Sequence, residues 1–159
     1  MPEILTRQIS NPAAMQELAR YLCENHLPDK ESFTLFLEGD LGAGKTFMAQ
    51  EILKLKGVKE AITSPTYALV NEYLTDSNTI GHWDFYRLES PNDFFARGFQ
   101  DFAGEPNSVH LVEWPEKINA AGKLAFSGSK FTLKISFGSS TEARNIQFNP
   151  ITWFLISYF

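Results

Sequence analysis

The sequence predicts a single α/β domain whose sheet is mixed and partly antiparallel, and three observations carry that prediction. Phe33-Thr-Leu-Phe-Leu37 is continuously apolar, as a strand buried on both faces of a parallel sheet must be. It leads into the glycine-rich stretch Gly39-Asp-Leu-Gly-Ala-Gly-Lys-Thr46, after which the pattern turns helical. Further on, pairs of strand-like runs joined by polar turns read as antiparallel neighbours. The 159 residues suit one domain, 1–159, able to bury roughly 70% of its unfolded surface in one core.

From the N-terminus, Glu3 to Ile9 reads as an edge strand. Asn11-Pro12 is a helix cap followed by a first-turn proline, and Met15, Leu18, Ala19, Leu22 and Cys23 fall on one face of the helix that follows. His26-Leu-Pro28 stops it. A second helix is expected from Lys45 to Lys56, with Met48, Ile52 and Leu55 inward and Gly57 ending it. Tyr67–Leu74 and Ile80–Tyr86 read as two strands joined by the polar turn Thr75–Thr79. Alternation along the second puts His82, Asp84 and Tyr86 on one face and Trp83 and Phe85 on the other. Pro91–Phe102 reads as a short aromatic-rich helical region broken at Gly98. Val109–Val112 is a strand ending in Glu113-Trp114-Pro115, and Phe131–Phe137 with Ala143–Phe148 closes the fold as a hairpin. The whole is a β-rich α/β sandwich around one strand–loop–helix unit.

Composition narrows the function. The net charge of −5 leaves no basic footprint for autonomous nucleic-acid binding, so any RNA contact is expected to be local or made through a partner. One cysteine, Cys23, rules out an internal disulfide, and its place on the apolar side of a helix suits a small buried hydrophobe better than a nucleophile. The first residues show no signal-peptide pattern and no segment is long enough to span a membrane. A cytoplasmic location is the expectation.

The chemistry begins at Gly39–Thr46, which fits G-x-x-x-x-G-K-[ST] between a buried strand and a helix. This is a P-loop, so the domain is expected to be P-loop NTPase-like. Glycines let backbone N–H groups converge on one anion, and the helix start adds free donors and a positive dipole end. Lys45 supplies a charge for the β- and γ-phosphates, and Thr46 offers a hydroxyl to Mg²⁺. Such a site needs an acid near the metal. Glu113, at the end of its apolar strand, is the first candidate and Asp84, between two aromatics, the second; a solvated carboxylate is the alternative for each. Thr66, in Ser64-Pro-Thr66, can hold a water or sense the γ-phosphate, although Ser-Pro-Thr is also a common turn. A GTPase should carry an Asn-Lys-x-Asp guanine reader, which this chain lacks. Asp101-Phe-Ala-Gly104 matches D-x-x-G without a preceding apolar strand. The lid arginines of a small-molecule kinase are not evident, since Arg7, Arg20, Arg87, Arg97 and Arg144 are scattered singly.

Four motifs in order, Gly39–Thr46, Ser64-Pro-Thr-Tyr-Ala-Leu-Val-Asn-Glu-Tyr73, His82-Trp-Asp-Phe-Tyr-Arg-Leu88 and Leu111-Val-Glu-Trp-Pro-Glu-Lys117, closely resemble those of TsaE (formerly YjeE), the ATPase family of the bacterial tRNA threonylcarbamoyladenosine machinery. Glu142-Ala-Arg-Asn-Ile146 resembles the family's closing motif, and the likeness covers roughly residues 3 to 149. It implies a single P-loop domain that binds ATP or ADP with Mg²⁺ and hydrolyses ATP weakly alone. It also implies two partners, a kinase-like tRNA threonylcarbamoyl transferase and its paralogous subunit, which modify adenosine 37 of tRNAs reading codons that begin with A. By this resemblance Asp40, Leu41, Gly42, Ala43, Gly44, Lys45, Thr46, Phe47, Asp84 and Arg144 bind nucleotide. Thr46 and Glu113 serve the metal, and Lys45, Asp84, Glu113 and Thr66 carry catalysis. Trp114 sits beside the metal acid.

The sequence departs from the family at Phe47, where many members have a second threonine, and at Ala14, where many have Thr or Ser. Residues 100–108 match loosely, and 149–159 match nothing in the family; that tail is expected to pack on the core. Two partner-docking surfaces are candidates, the aromatic-rich 83–102 stretch and the C-terminal tail. The rival functions are a small-molecule kinase and a nucleotide-gated adaptor that scarcely hydrolyses ATP.

Overall fold

The computed structural model describes residues 5–151. Seven strands form one sheet in the order β1-β7-β6-β2-β5-β4-β3: β1 (Leu5–Ile9), β2 (Phe33–Glu38), β3 (Val70–Leu74), β4 (Thr79–Asp84), β5 (Ser108–Glu113), β6 (Ser129–Phe137) and β7 (Arg144–Ile151). The four central strands, β6, β2, β5 and β4, run parallel. Antiparallel partners flank them, β3 on β4, and β7 on β6 with β1 beyond it. The sheet is therefore mixed, with β1 at one edge as its sequence indicates.

Helices cover both faces. On one lie α1 (Pro12–Asn25) and α2 (Lys45–Leu55). The Asn11 side chain caps α1 by accepting from Ala14 N at 2.9 Å. The helix then buries Met15, Leu18, Ala19 and Leu22 against Met48, Ala49, Ile52 and Leu53 of α2 and against Phe33, Leu35 and Leu37 of β2. On the other face α3 (Asn92–Ala96), α4 (Phe99–Ala103) and α5 (Ala120–Ala125) enclose a second core of Phe36, Trp83, Phe85, Phe94, Val112 and Phe126. The odd positions of β2 thus face α1 and α2 while Phe36 faces the aromatic side, the period-2 alternation of a doubly covered strand.

Several element boundaries differ from the sequence reading. Leu55 is 41% exposed, and Leu53, fully buried, takes the inward position. At 3.6 residues per turn Leu55 lies about 90° from the centre of the face made by residues 48, 49, 52 and 53. Tyr67–Leu69 is a turn: Leu69 N donates to Pro65 O at 2.7 Å and Leu69 adopts φ 69°, so extension starts at Val70. Strand β4 stops at Asp84 because the aspartate accepts from Tyr86 N at 3.0 Å, a local turn that Phe85 and Tyr86 cannot escape. Cys23 is half-buried and packs against the first core, where burial pushes its thiol pKa up. The helix α5 is an element that the sequence pattern does not predict. In the tail, residues 149–151 complete β7, and 152–159 lie outside the described residues, as do Glu3 and Ile4 of the expected first strand. The 83–102 stretch spends Trp83, Phe85 and Phe94 on the core and leaves Tyr86 and Phe95 exposed.

Candidate functional site

The site forms where the parallel strands end. Glu113, the last residue of β5, pairs in register with Leu37 of β2 and with Asp84, the last residue of β4. The loop after β2 passes between these ends and the start of α2. Together they enclose a cleft of about 390 Å³ lined by Leu41, Gly42, Gly44, Lys45, Thr46 and Phe47 on one side. Thr66, Asp84, Tyr86, Arg87, Glu113 and Trp114 line the other. Carboxyl ends of parallel strands are where open α/β sheets bind ligands.

The loop is built to present amides. Gly44, the cap of α2, holds φ 120°, a backbone that a side chain would strain, and it turns the first helical N–H groups toward the cleft. Ala43 N donates to Asp40 O at 3.0 Å; the amides of Gly42, Gly44, Lys45 and Thr46 donate to no backbone carbonyl among the described residues. Free amides at a helix start form an anion nest. Ala43 itself is buried, Leu41 is 70% exposed at the rim, and Asp40 contributes its carbonyl. Arg144 clamps the loop from behind, donating from Nε to Ala43 O at 2.8 Å and from Nη1 to both Thr141 O and Ala143 O at 2.8 Å. It is thus a brace of the cradle and not a stray surface charge.

Lys45 is only 4% exposed. Its Nζ donates to Gly39 O and to Asp40 O (2.9 Å) and lies 4.2 Å from the centre of the Trp114 ring. Burial lowers its pKa, opposed chiefly by Glu113. Trp114 reaches this place because its backbone is left-handed, φ 56°, so the chain turns sharply after Glu113.

Glu113 is fully engaged. Its Oε1 accepts from Thr46 Oγ at 2.6 Å, and its Oε2 lies 2.6 Å from His82 Nε2. An ionised carboxylate only accepts, so Nε2 carries the proton; His82 Nδ1 has no partner among the described residues. Asp84 accepts from Tyr86 N and makes a long contact, 3.4 Å, with Thr66 Oγ, while Thr66 also meets Ser64 Oγ at 2.8 Å. Burial raises the Asp84 pKa, with the Tyr86 amide opposing and Glu113 adding. Among the described residues no three His, Cys, Asp or Glu side chains form a metal cage. A hydroxyl and one carboxylate at the foot of an anion nest suit Mg²⁺, which is commonly held by one or two carboxylates together with phosphate and water oxygens.

The structure thus gathers Lys45, Thr46, Thr66, Asp84 and Glu113 as the sequence reading expects. It adds His82, whose place beside Asp84 in the alternation was the available signal, and Arg87, which lines the cleft. Phe47 packs on the first core and also lines a smaller pocket of about 190 Å³ with Ile9, Asn11, Pro12, Met15, Ala43, Gly44, Glu142 and Arg144. Ala14 packs on the core and does not line that pocket.

Comparison with known proteins identifies the family. The family described as threonylcarbamoyl adenosine biosynthesis protein TsaE matches residues 9–146. The tRNA threonylcarbamoyladenosine biosynthesis protein TsaE of Rickettsia felis is 38% identical over 111 residues, 69% of this chain and 62% of that protein. Its Haemophilus influenzae counterpart is 35% identical over 117 residues, 72% of this chain and 73% of that one. The crystal structure of Bacillus subtilis YdiB superposes with a TM-score of 0.67 over 99% of this chain and 94% of that one, at 21% identity, which speaks for the fold alone. With the family matched over residues 9–146, a span that contains all four motifs, the chain belongs to the TsaE family.

Proposed function

We propose that the protein is a Mg²⁺-dependent ATPase that supports threonylcarbamoylation of adenosine 37 in tRNAs reading codons that begin with A. It acts in the cytoplasm beside a kinase-like tRNA threonylcarbamoyl transferase and its paralogous subunit. The observation that carries the ATPase reading is the 2.6 Å contact of the Thr46 hydroxyl with the Glu113 carboxylate at the foot of the amide nest. The tRNA pathway is the one named for the relatives.

In this reading the amides of Gly42 to Thr46 cradle the phosphates. Lys45 leaves its carbonyl partners to neutralise the β- and γ-phosphates. Thr46 and Glu113 hold Mg²⁺, which when bound neutralises charge on the phosphate oxygens. His82 fixes one Glu113 oxygen, leaving the other aimed at Thr46. Asp84 orients the attacking water, whose oxygen bonds to the γ-phosphorus as the bond to ADP breaks, and Thr66 steadies Asp84. The nucleoside extends past Gly44 and Phe47, residues shared by the cleft and the adjoining pocket. There Phe47 offers an apolar wall in place of the family's threonine. Turnover resets the partner complex, and tRNA is met only locally or through those partners, consistent with the acidic net charge.

Calorimetric titration tests the nucleotide site. ATP should bind the wild type about tenfold more weakly in EDTA than with Mg²⁺, because a Mg²⁺ held through two protein ligands adds a modest share of the affinity. Glu113→Ala should erase that difference, and Lys45→Ala should weaken binding with or without the metal. A wild type indifferent to Mg²⁺, or one that takes up no ATP, contradicts the reading.

A further inference from the structure

The cleft holds a cation that the proposed mechanism leaves idle. Arg87 lines it as Lys45 does, from the turn that follows Asp84, where Leu88 N donates to Phe85 O at 2.9 Å. Its guanidinium forms no ion pair and no hydrogen bond among the described residues. It rests on the ring of Tyr67, 4.6 Å from the ring centre, and Tyr67 is itself 85% exposed. A cation–π contact at so open a site is a weak hold, so the arginine is free to leave it. Tyr67 directly follows Thr66, the residue that reaches the cleft from the same turn.

Charge argues in the same direction. The cleft carries two cations, Lys45 and Arg87, against two carboxylates, Asp84 and Glu113. Without Arg87 its own charge is negative, a poor setting for a polyphosphate. Lys45 answers to the ground-state phosphates, which leaves the charge that shifts onto the bridging oxygen in the transition state without a protein cation of its own.

We propose that Arg87 is a further catalytic residue of this ATPase, an arginine supplied by the chain itself that leaves the Tyr67 ring and donates its planar fork of N–H groups to the transferring phosphoryl group; this rests on the ATPase reading above. As the water oxygen bonds to phosphorus and the bond to ADP breaks, negative charge shifts onto the leaving bridging oxygen. The water proton ends on inorganic phosphate. A guanidinium that stays protonated reaches the bridging oxygen and a γ-phosphoryl oxygen at once, which an ammonium does not.

The full-length wild type, Arg87→Ala and Arg87→Lys are compared for phosphate release from Mg²⁺-ATP and for Mg²⁺-ADP affinity by calorimetry, alone and with the two partner proteins. Arg87→Ala is expected to bind ADP within about threefold of wild type yet to release phosphate about a hundredfold more slowly in both settings, the scale of losing one transition-state donor. Arg87→Lys should stay nearer to Arg87→Ala than to wild type. Wild-type turnover in either variant, a loss of ADP affinity equal to the loss of rate, or a loss confined to the partner-stimulated rate each overturns the proposal. The last of these would make Arg87 a docking residue. If the wild type neither binds nor hydrolyses ATP, the ATPase reading falls and the arginine with it; if it turns over and Arg87→Ala equals it, only the arginine falls.

Discussion

Glu113 and Asp84 stand side by side in register, yet their surroundings ask different things of them. Glu113 has a donor on each oxygen. Asp84 is buried with one firm donor, the Tyr86 amide, and its pKa is raised. For an acid raised on folding, the ionised form is disfavoured in the native state. That penalty is absent below the unfolded value, about 3.9, and present in full above the folded one. Asp84→Asn keeps an acceptor for Tyr86 N and removes the charge. Its melting temperature should therefore exceed that of wild type at neutral pH, with the gain shrinking as pH falls toward 4, while ATP hydrolysis is lost. A lower melting temperature at neutral pH would mean that Asp84 is a structural support and not a group held for function at a cost in stability. At this scale Lys45, Thr46 and Glu113 were legible because their chemistry is written in contiguous motifs. His82 was not, since its partner is 31 residues away and the pairing exists only once β4 and β5 are in register.

Among the elements, the aromatic layer under β4 sets the position of Asp84. Trp83 is wholly buried, stacks at 5.5 Å on Phe102 and meets Phe126 edge-on at 5.2 Å. Its Nε1 donates to His110 Nδ1 at 3.0 Å, and His110 Nε2 contacts Ser108 Oγ at 2.9 Å. Gly81 makes room for this pair, because a Cβ there would lie 2.7 Å from Trp83 Nε1 and 2.8 Å from His110 Nδ1. Burial drives the His110 pKa down to about 3, so the unfolded chain takes up a proton on this residue, below about 6.5, that the folded one refuses. Stability from His110 is thus complete at neutral pH and drains away between those two values as pH falls. Urea unfolding at pH 7 and pH 5 should show wild type losing about 2 kcal/mol more than His110→Asn over that interval; equal losses would mean that the imidazole protonates within the fold. The strand–loop–helix unit and the closing hairpin were readable from pattern alone. The turn at Tyr67–Leu69 is not legible in the sequence because its apolar residues fit a strand, while the left-handed Leu69 that ends it has no glycine or asparagine to announce it. The helix α5 is not legible because six residues containing a glycine, AAGKLA, carry too weak a pattern.

Across the whole molecule, four parallel strands flanked by antiparallel strands place every expected phosphate and metal residue at one end of the sheet, and Arg144, from β7, braces the loop after β2. That long-range brace links the closing motif to the cradle, a connection the linear sequence left as a lone arginine. Partial antiparallel character was legible from the two hairpins; the strand order was not, because it depends on crossovers whose helices read alike from either face. The net charge of −5 is consistent with the proposed role beside a larger assembly. The most direct measurement is ATP turnover by the full chain, alone and after addition of the transferase and its paralogous subunit, with Lys45→Ala and Glu113→Ala alongside. A sharp rise on addition, abolished in both variants and accompanied by free phosphate, is the predicted result. Turnover unchanged by the partners, or a labelled phosphoryl group recovered on a small metabolite, would contradict it.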